Sequence, residues 1–140
     1  MAGPRFQLVA GARLSGAADG DGVGWRLLGS NNRELGRSAV SYADAETALA
    51  ALGRIRELAV SGQAHIAHHT GSGHWEWHLE DEGELVANSG RGFRHERECR
   101  YNLEQFRFAA PAAPTSDTTA PMAFAEHLSL LQSAATEAAL

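Results

Sequence analysis

The sequence contains no lysine, and all twelve of its basic residues are arginine. Residues 1–60 contain seven arginines and six acids, residues 61–109 contain five and eight, and the rest of the chain has three acids alone. A nucleic-acid-binding protein needs a concentrated basic surface to displace counterions from phosphates. The charge pattern therefore disfavours that class. The glycine-rich residues 16–24 also lack the Lys-Ser/Thr ending of a phosphate-binding loop.

Cysteine occurs once, at Cys99, so the chain cannot form an internal disulfide and fits a reducing compartment. No apolar run approaches the about 18 residues that a membrane helix needs. The short apolar run near the start is interrupted by Arg13, which is not typical of a signal peptide. We therefore expect a soluble, cytoplasmic protein that binds neither nucleic acid nor a membrane.

The first half of the chain predicts strands followed by a helix. Trp25 and Leu27 alternate as in a half-buried strand, residues 29–32 form a turn, and residues 34–39 extend again. Asp44 is the expected N-cap of a helix whose apolar residues recur on one face. These residues are Ala45, Ala48, Leu49, Leu52, Ile55 and Ala59. A further strand candidate, residues 6–10, precedes the hairpin.

The same order returns about 51 residues later. Residues 64–69 predict a strand, Trp75, Trp77 and Leu79 alternate, and residues 85–89 extend again. Five pairs match at this spacing: Ser38 and Ser89, Tyr42 and Phe93, Ala48 and Cys99, Leu52 and Leu103, Ile55 and Phe106. We predict a tandem duplication, with repeats at residues 5–60 and 61–110. The expected fold is α+β, with two helices on one shared, mainly antiparallel sheet and pseudo-two-fold symmetry.

These residues also resemble the YegP-like family, a domain of unknown function that often occurs in tandem. The segments WRLLGSNNRELGRSAVSYADAETALAAL and WHLEDEGELVANSGRGF carry the likeness, which covers residues 6–109. The resemblance implies that each repeat is a β3-αβ motif and that two repeats build one continuous sheet, exchanging the strand after the helix. The chain departs from the pattern at Asn32, where a turn glycine is usual, at Phe93, which replaces a tyrosine, and at His95, a poor N-cap. The resemblance implies no catalytic residues.

The composition changes in residues 111–140. The stretch APAAPTSDTTAP has three prolines and little apolar content, which predicts a linker. Beyond Pro121, the spacing of Phe124, Leu128, Leu131 and Ala135 indicates an amphipathic helix. This helix is either a frayed tail or a docking segment for a partner or for the protein's own sheet.

Five histidines stand between residues 65 and 78. Because side chains alternate across a strand, a core-facing Trp75, Trp77 and Leu79 place Glu76 and His78 on the opposite face. The candidate zinc ligands are His65, His69, Glu76 and His78. The alternative is a solvated sheet face on which histidine and glutamate pair across strands. In the absence of an HExxH or paired-cysteine motif the sequence favours the solvated face, so no metal is expected.

The second predicted helix carries two further sets of candidate functional residues, a cysteine and a group of arginines. Cys99 matches Ala48 and is interpreted as a small buried residue rather than a nucleophile. Arg94, Arg97, Arg100 and Arg107 interleave with glutamates, which is typical of i, i+4 pairs on a solvated face and, alternatively, of an anion site.

No residue pattern requires catalysis, so an enzyme is not the leading prediction. We predict a non-enzymatic module without a cofactor, which binds a protein or small ligand through its sheet or the seam between repeats. The alternative is a metal- or anion-binding sensor or enzyme that uses the histidine-rich strands. The expected partner is another protein, bound through the C-terminal segment or the sheet, and the expected state is a monomer or homodimer.

Overall fold

The computed structural model describes residues 3–11 and 22–121, which form one mixed seven-stranded sheet and two helices. The strands are β1 (Arg5–Ala10), β2 (Val23–Leu28), β3 (Glu34–Ser38), β4 (Gln63–His69), β5 (His74–Asp81), β6 (Glu84–Asn88) and β7 (Thr115–Pro121). Their order across the sheet is β4-β5-β6-β3-β2-β1-β7. Every neighbouring pair is antiparallel except β1 and β7. The predicted α+β class is confirmed.

The two helices are α1 (Ala45–Ser61) and α2 (Glu96–Ala109). They contact each other, and both contribute side chains to a single core, so they lie on the same face of the sheet. Asp44 caps α1 as predicted: its carboxylate accepts hydrogen bonds from the Thr47 amide (2.8 Å) and hydroxyl (2.7 Å). His95 precedes α2 without a side-chain capping bond. Neither described helix has the length and apolar character needed to span a bilayer.

Aromatic side chains fill the centre of the core. The Phe106 ring of α2 packs against Trp77, with centroids 4.8 Å apart, and against Trp25 at 6.2 Å. Phe6 meets Trp25 edge-on at 5.4 Å. Gly36 permits this packing, because a Cβ there would lie 2.8 Å from Phe106 and 2.9 Å from Trp77. The Trp77 indole N–H also donates to the buried Asn102 Oδ1 at 2.6 Å, so the polar edge of the ring is satisfied inside the core.

The turn between β2 and β3 shows how this chain replaces a usual turn glycine. Asn32 adopts a φ of 63°, in the left-handed region that asparagine tolerates better than most residues. Its Oδ1 accepts a hydrogen bond from Arg5 at 2.6 Å. The departure at Asn32 is therefore compatible with the hairpin.

The structure corrects the prediction for residues 111–121. Ala110–Ala112 form a short 3-10 turn, and Thr115–Pro121 form β7, a strand of the sheet rather than part of a linker. These residues form a strand because of a tertiary contact. β7 pairs in parallel with β1, from Phe6 opposite Thr115 to Ala10 opposite Pro121. This is the position that the family resemblance implies for a strand after the second helix. The helix predicted beyond Pro121 lies outside the described residues.

Candidate metal-binding site

The β4–β5 hairpin divides its side chains between two faces. Its register sets His65 opposite His78, Ala67 opposite Glu76 and His69 opposite His74. Directly opposed residues of an antiparallel pair point to the same side. Trp77 and Leu79 are buried in the core under the helices, so this histidine-rich set occupies the other face.

Three of the four candidate ligands come together on that face. Glu76 Oε2 lies 3.2 Å from His69 Nε2 and 3.5 Å from His78 Nε2. The three ligand atoms all lie within 4.8 Å of one another. Ala67, directly opposite Glu76, has only a methyl group, which leaves room for the two imidazoles to lean toward the carboxylate. We call His69, Glu76 and His78 the histidine cluster.

The two imidazole nitrogens that face Glu76 are shielded from solvent. The three side chains of the cluster are between 22% and 25% exposed, whereas the Nε2 atoms of His69 and His78 are fully buried. Within residues 3–11 and 22–121, His69 Nε2 has no hydrogen-bond partner, because the nearby Glu76 oxygen is poorly aligned for one. A buried polar atom without a partner is costly, and a water molecule or a metal ion is a group that can satisfy it.

The spacing of the cluster suits a metal ion. A tetrahedral zinc ion with bonds of about 2.0–2.2 Å holds its ligand atoms about 3.4 Å apart. The two distances to Glu76 Oε2, 3.2 and 3.5 Å, bracket that value, and the third pair of ligand atoms lies within 4.8 Å. Two imidazoles and a carboxylate are also a donor set that zinc uses in proteins. The cluster could therefore hold a divalent metal with small side-chain adjustments.

The fourth candidate, His65, is not part of the cluster. Its side chain is 57% exposed, and its Nε2 lies 3.4 Å from Glu80 Oε2. An exposed pair of this kind contributes little to stability. His68 points to the helix side of the sheet and stacks on Trp75, with centroids 4.2 Å apart. The structure thus separates His69 and His78 from the other histidines of the hairpin.

Cys99 has the setting that the sequence predicts. Its side chain is fully buried in the core. Burial raises the pKa of its thiol to about 11, and the negative charge of Glu76 acts in the same direction. A nucleophilic cysteine needs a lowered pKa and access to solvent. Cys99 is therefore a structural residue.

The arginines of α2 have different environments. Arg100 pairs with Glu96 at 2.9 Å in the expected i, i+4 arrangement. Arg107 instead donates to the carbonyl oxygens of Ala59 (3.1 Å) and Gly62 (3.0 Å), where it ties α2 to the end of α1. Helix patterning alone did not indicate this contact, because its acceptors are backbone atoms of a distant segment.

Solved structures that share this fold include two from bacteria. The solution NMR structure of yegP from E. coli, a protein of unknown function, is 13% identical, with a TM-score of 0.60 and coverage of 86% of this chain and 94% of that chain. That of a UPF0339 protein from Shewanella oneidensis is 8% identical, with a TM-score of 0.63 and coverage of 86% and 92%. No protein-family model and no curated protein matches the sequence. The YegP-like resemblance is confirmed at the level of the fold.

Proposed function

We propose that this chain is a non-enzymatic binding module whose sheet holds a divalent transition-metal ion through His69, Glu76 and His78. The observation that carries the proposal is the approach of three ligand atoms to within 4.8 Å of one another on the sheet face opposite the two helices. The sequence favoured a solvated face because it contains no HExxH or paired-cysteine motif. In the structure the two imidazoles nevertheless approach the Glu76 carboxylate, and the small Ala67 stands directly opposite Glu76.

The donor set selects the class of metal. Imidazole nitrogens suit zinc, copper, nickel and iron, whereas magnesium and calcium prefer sites made of oxygen alone. Two nitrogens and one carboxylate oxygen therefore favour the late first-row divalent ions. Three protein ligands leave at least one coordination position for water or for a group from a partner.

Binding is a better account of the site than catalysis. An enzyme gains rate by holding its substrate in a fixed geometry and by excluding water. The histidine cluster lies on the sheet face opposite α1 and α2, and the described residues, 3–11 and 22–121, place no further helix there. Cys99 is buried on the helix side and cannot serve as a nucleophile for this site.

The test is a metal titration of protein purified without a histidine tag and stripped with a chelator. Cobalt(II) binding is followed by visible absorption and zinc binding by calorimetry. We expect one equivalent to bind wild type, and His69→Ala, Glu76→Gln and His78→Ala to lose it. His65→Ala is the matched control, because His65 lies on the same face of the same hairpin outside the cluster. Equal losses in His65→Ala and His78→Ala, or no stoichiometric binding by wild type, would overturn the proposal.

We also infer that the chain is a tandem duplication with a pseudo-two-fold axis between β3 and β6. Each half contains three antiparallel strands followed by a helix, and the halves join where β3 pairs with β6. An isolated backbone bridge links Val23 to Tyr42 in the first half and Trp75 to Phe93 in the second. Four of the five pairs matched in the sequence are buried at both members: Ser38 and Ser89, Ala48 and Cys99, Leu52 and Leu103, Ile55 and Phe106. An experimental structure in which residues 6–59 and 64–109 fail to superpose would contradict this inference.

A further inference from the structure

A groove of about 790 Å³ lies between the β2–β3 turn and α2, and it shares no residue with the histidine cluster. Its walls are the turn at residues 29–35, the loop around Arg91, and one stripe of the helix. Small-molecule sites typically enclose about 300–1,000 Å³. The groove therefore has the size of a small-molecule site.

One wall of the groove is aromatic and exposed. Tyr101 is 63% exposed and Phe108 is 86% exposed, and both lie on the stripe of α2 that lines the groove. Phe93 also borders the groove, but its side chain is buried in the core, and the Arg91 guanidinium lies over its ring at 4.8 Å from the centroid. A phenylalanine with so much exposed surface adds little to the core. This wall offers flat apolar area to a ligand.

Three arginines and two glutamates line the groove, a net formal charge of +1, although the chain as a whole is acidic. Arg33, Arg91 and Arg97 line it, and in the part of the chain that the structure describes none of these three guanidinium groups pairs with a carboxylate. Of the two acids that line the groove, Glu34 pairs with Arg37 at 2.6 Å, whereas Glu98 is exposed and lies 3.8 Å from His95 Nε2. Guanidinium groups bind oxyanions through forked hydrogen bonds and stack on aromatic rings.

We propose that this groove binds a small organic anion that contains an aromatic ring. The anionic group is held by Arg97 together with Arg33 and Arg91, and the ring packs against Tyr101 and Phe108. The site is independent of the metal proposal, because the groove and the histidine cluster lie on different parts of the molecule and share no side chain. Carboxylate, sulfonate and phosphate all provide the oxyanion that this chemistry requires.

The experiment uses 8-anilinonaphthalene-1-sulfonate as the probe and N-phenyl-1-naphthylamine, which has the same rings without the sulfonate, as its neutral counterpart. Fluorescence titration gives the affinities, and an amide NMR titration locates the probe. We expect the sulfonate to bind more tightly than the amine, with shifts concentrated at Tyr101, Asn102 and Gln105. Arg97→Glu should weaken sulfonate binding by about tenfold or more, as loss of a charged hydrogen bond does.

Two matched controls separate the groove from general surface binding. Arg94→Glu reverses an exposed arginine that precedes α2 and does not line the groove, and it should leave the affinity unchanged. Phe108→Ser should weaken binding, whereas Val60→Ser, at a 69% exposed apolar residue of α1, should not. All four positions are exposed, so the variants should keep the wild-type melting curve. No saturable binding, equal binding of the amine, or equal losses in Arg94→Glu and Arg97→Glu would overturn the proposal.

Discussion

The Arg56 side chain of α1 donates two hydrogen bonds to the carbonyl oxygen of Ala113, at 2.9 and 3.1 Å. It donates a third to the Thr115 hydroxyl at 3.0 Å, and its guanidinium lies over the Phe6 ring, 5.0 Å from the centroid. Phe6 belongs to β1 and Thr115 to β7. One helical side chain therefore holds the start of β7 against its parallel neighbour.

Arg56→Ala should destabilise the fold by about 1–3 kcal/mol, because it removes charged hydrogen bonds and leaves the buried Ala113 carbonyl without this donor. Arg56→Lys keeps the charge but cannot form the forked pair of bonds, so its loss should be intermediate. Urea unfolding followed by tryptophan fluorescence measures both. Equal stability of Arg56→Ala and wild type would mean that this contact does not secure β7.

Truncation separates the strand from the residues after it. A chain ending at Pro121 should keep the melting temperature of the full chain, because all seven strands remain. A chain ending at Ala110 loses β7 and exposes the edge of β1, so it should melt at a lower temperature and aggregate more readily. Identical melting curves for the two truncated chains would mean that residues 111–121 act as the linker that their composition predicts.

Gly36 and Gly53 form a matched pair for the packing of the core. Gly36→Ala places a Cβ within 2.9 Å of Phe106 and Trp77, so it should destabilise the fold by about 1–3 kcal/mol. Gly53→Ala meets nothing within 4 Å in an exposed part of α1, so it should stabilise the fold by up to about 1 kcal/mol. Thermal or urea unfolding distinguishes them. A neutral Gly36→Ala would show that the rings can move aside.

Cys99 should make stability depend on alkaline pH. Because burial raises the pKa of its thiol from 9.0 to about 11, the unfolded chain loses this proton at a lower pH than the native chain does. The contribution of the thiol to stability is therefore full below pH 9 and is lost as the pH rises to about 11. Cys99→Ala should lose less stability over this interval than wild type. Parallel stability curves for the two proteins, or rapid labelling of native Cys99 by a thiol reagent, would contradict the assignment.

Local patterns predicted most of the fold. The alternation of Trp75, Trp77 and Leu79 identified the inward face of a strand, and Asp44 marked the start of the first helix. Strand β7 was missed because TSDTTAP has no apolar alternation. Its position depends on β1 and on Arg56, which lies 59 residues before Thr115 in the chain.

The candidate site could be predicted only in part. The alternation of residues placed Glu76 and His78 on the face opposite the tryptophans, and that placement is confirmed. The sequence does not fix the register of β4 against β5. It therefore could not decide whether His65 or His69 lies beside Glu76 and His78. The contacts separate them: His69 reaches Glu76, whereas His65 reaches Glu80. The groove was missed because its walls come from turns and a helix that are distant in the chain.

All the members of the histidine cluster belong to one hairpin, whose strands are joined by the turn at residues 70–73. Closing so short a loop costs little chain entropy, and hairpins form within microseconds. An unfolded chain that forms this hairpin transiently would offer a metal ion the same three donors. A ligand stabilises the native state only to the extent that it binds that state better than the unfolded chain. A metal ion held by this cluster would therefore raise the unfolding temperature less than its affinity implies, and it would organise this hairpin before the helices pack.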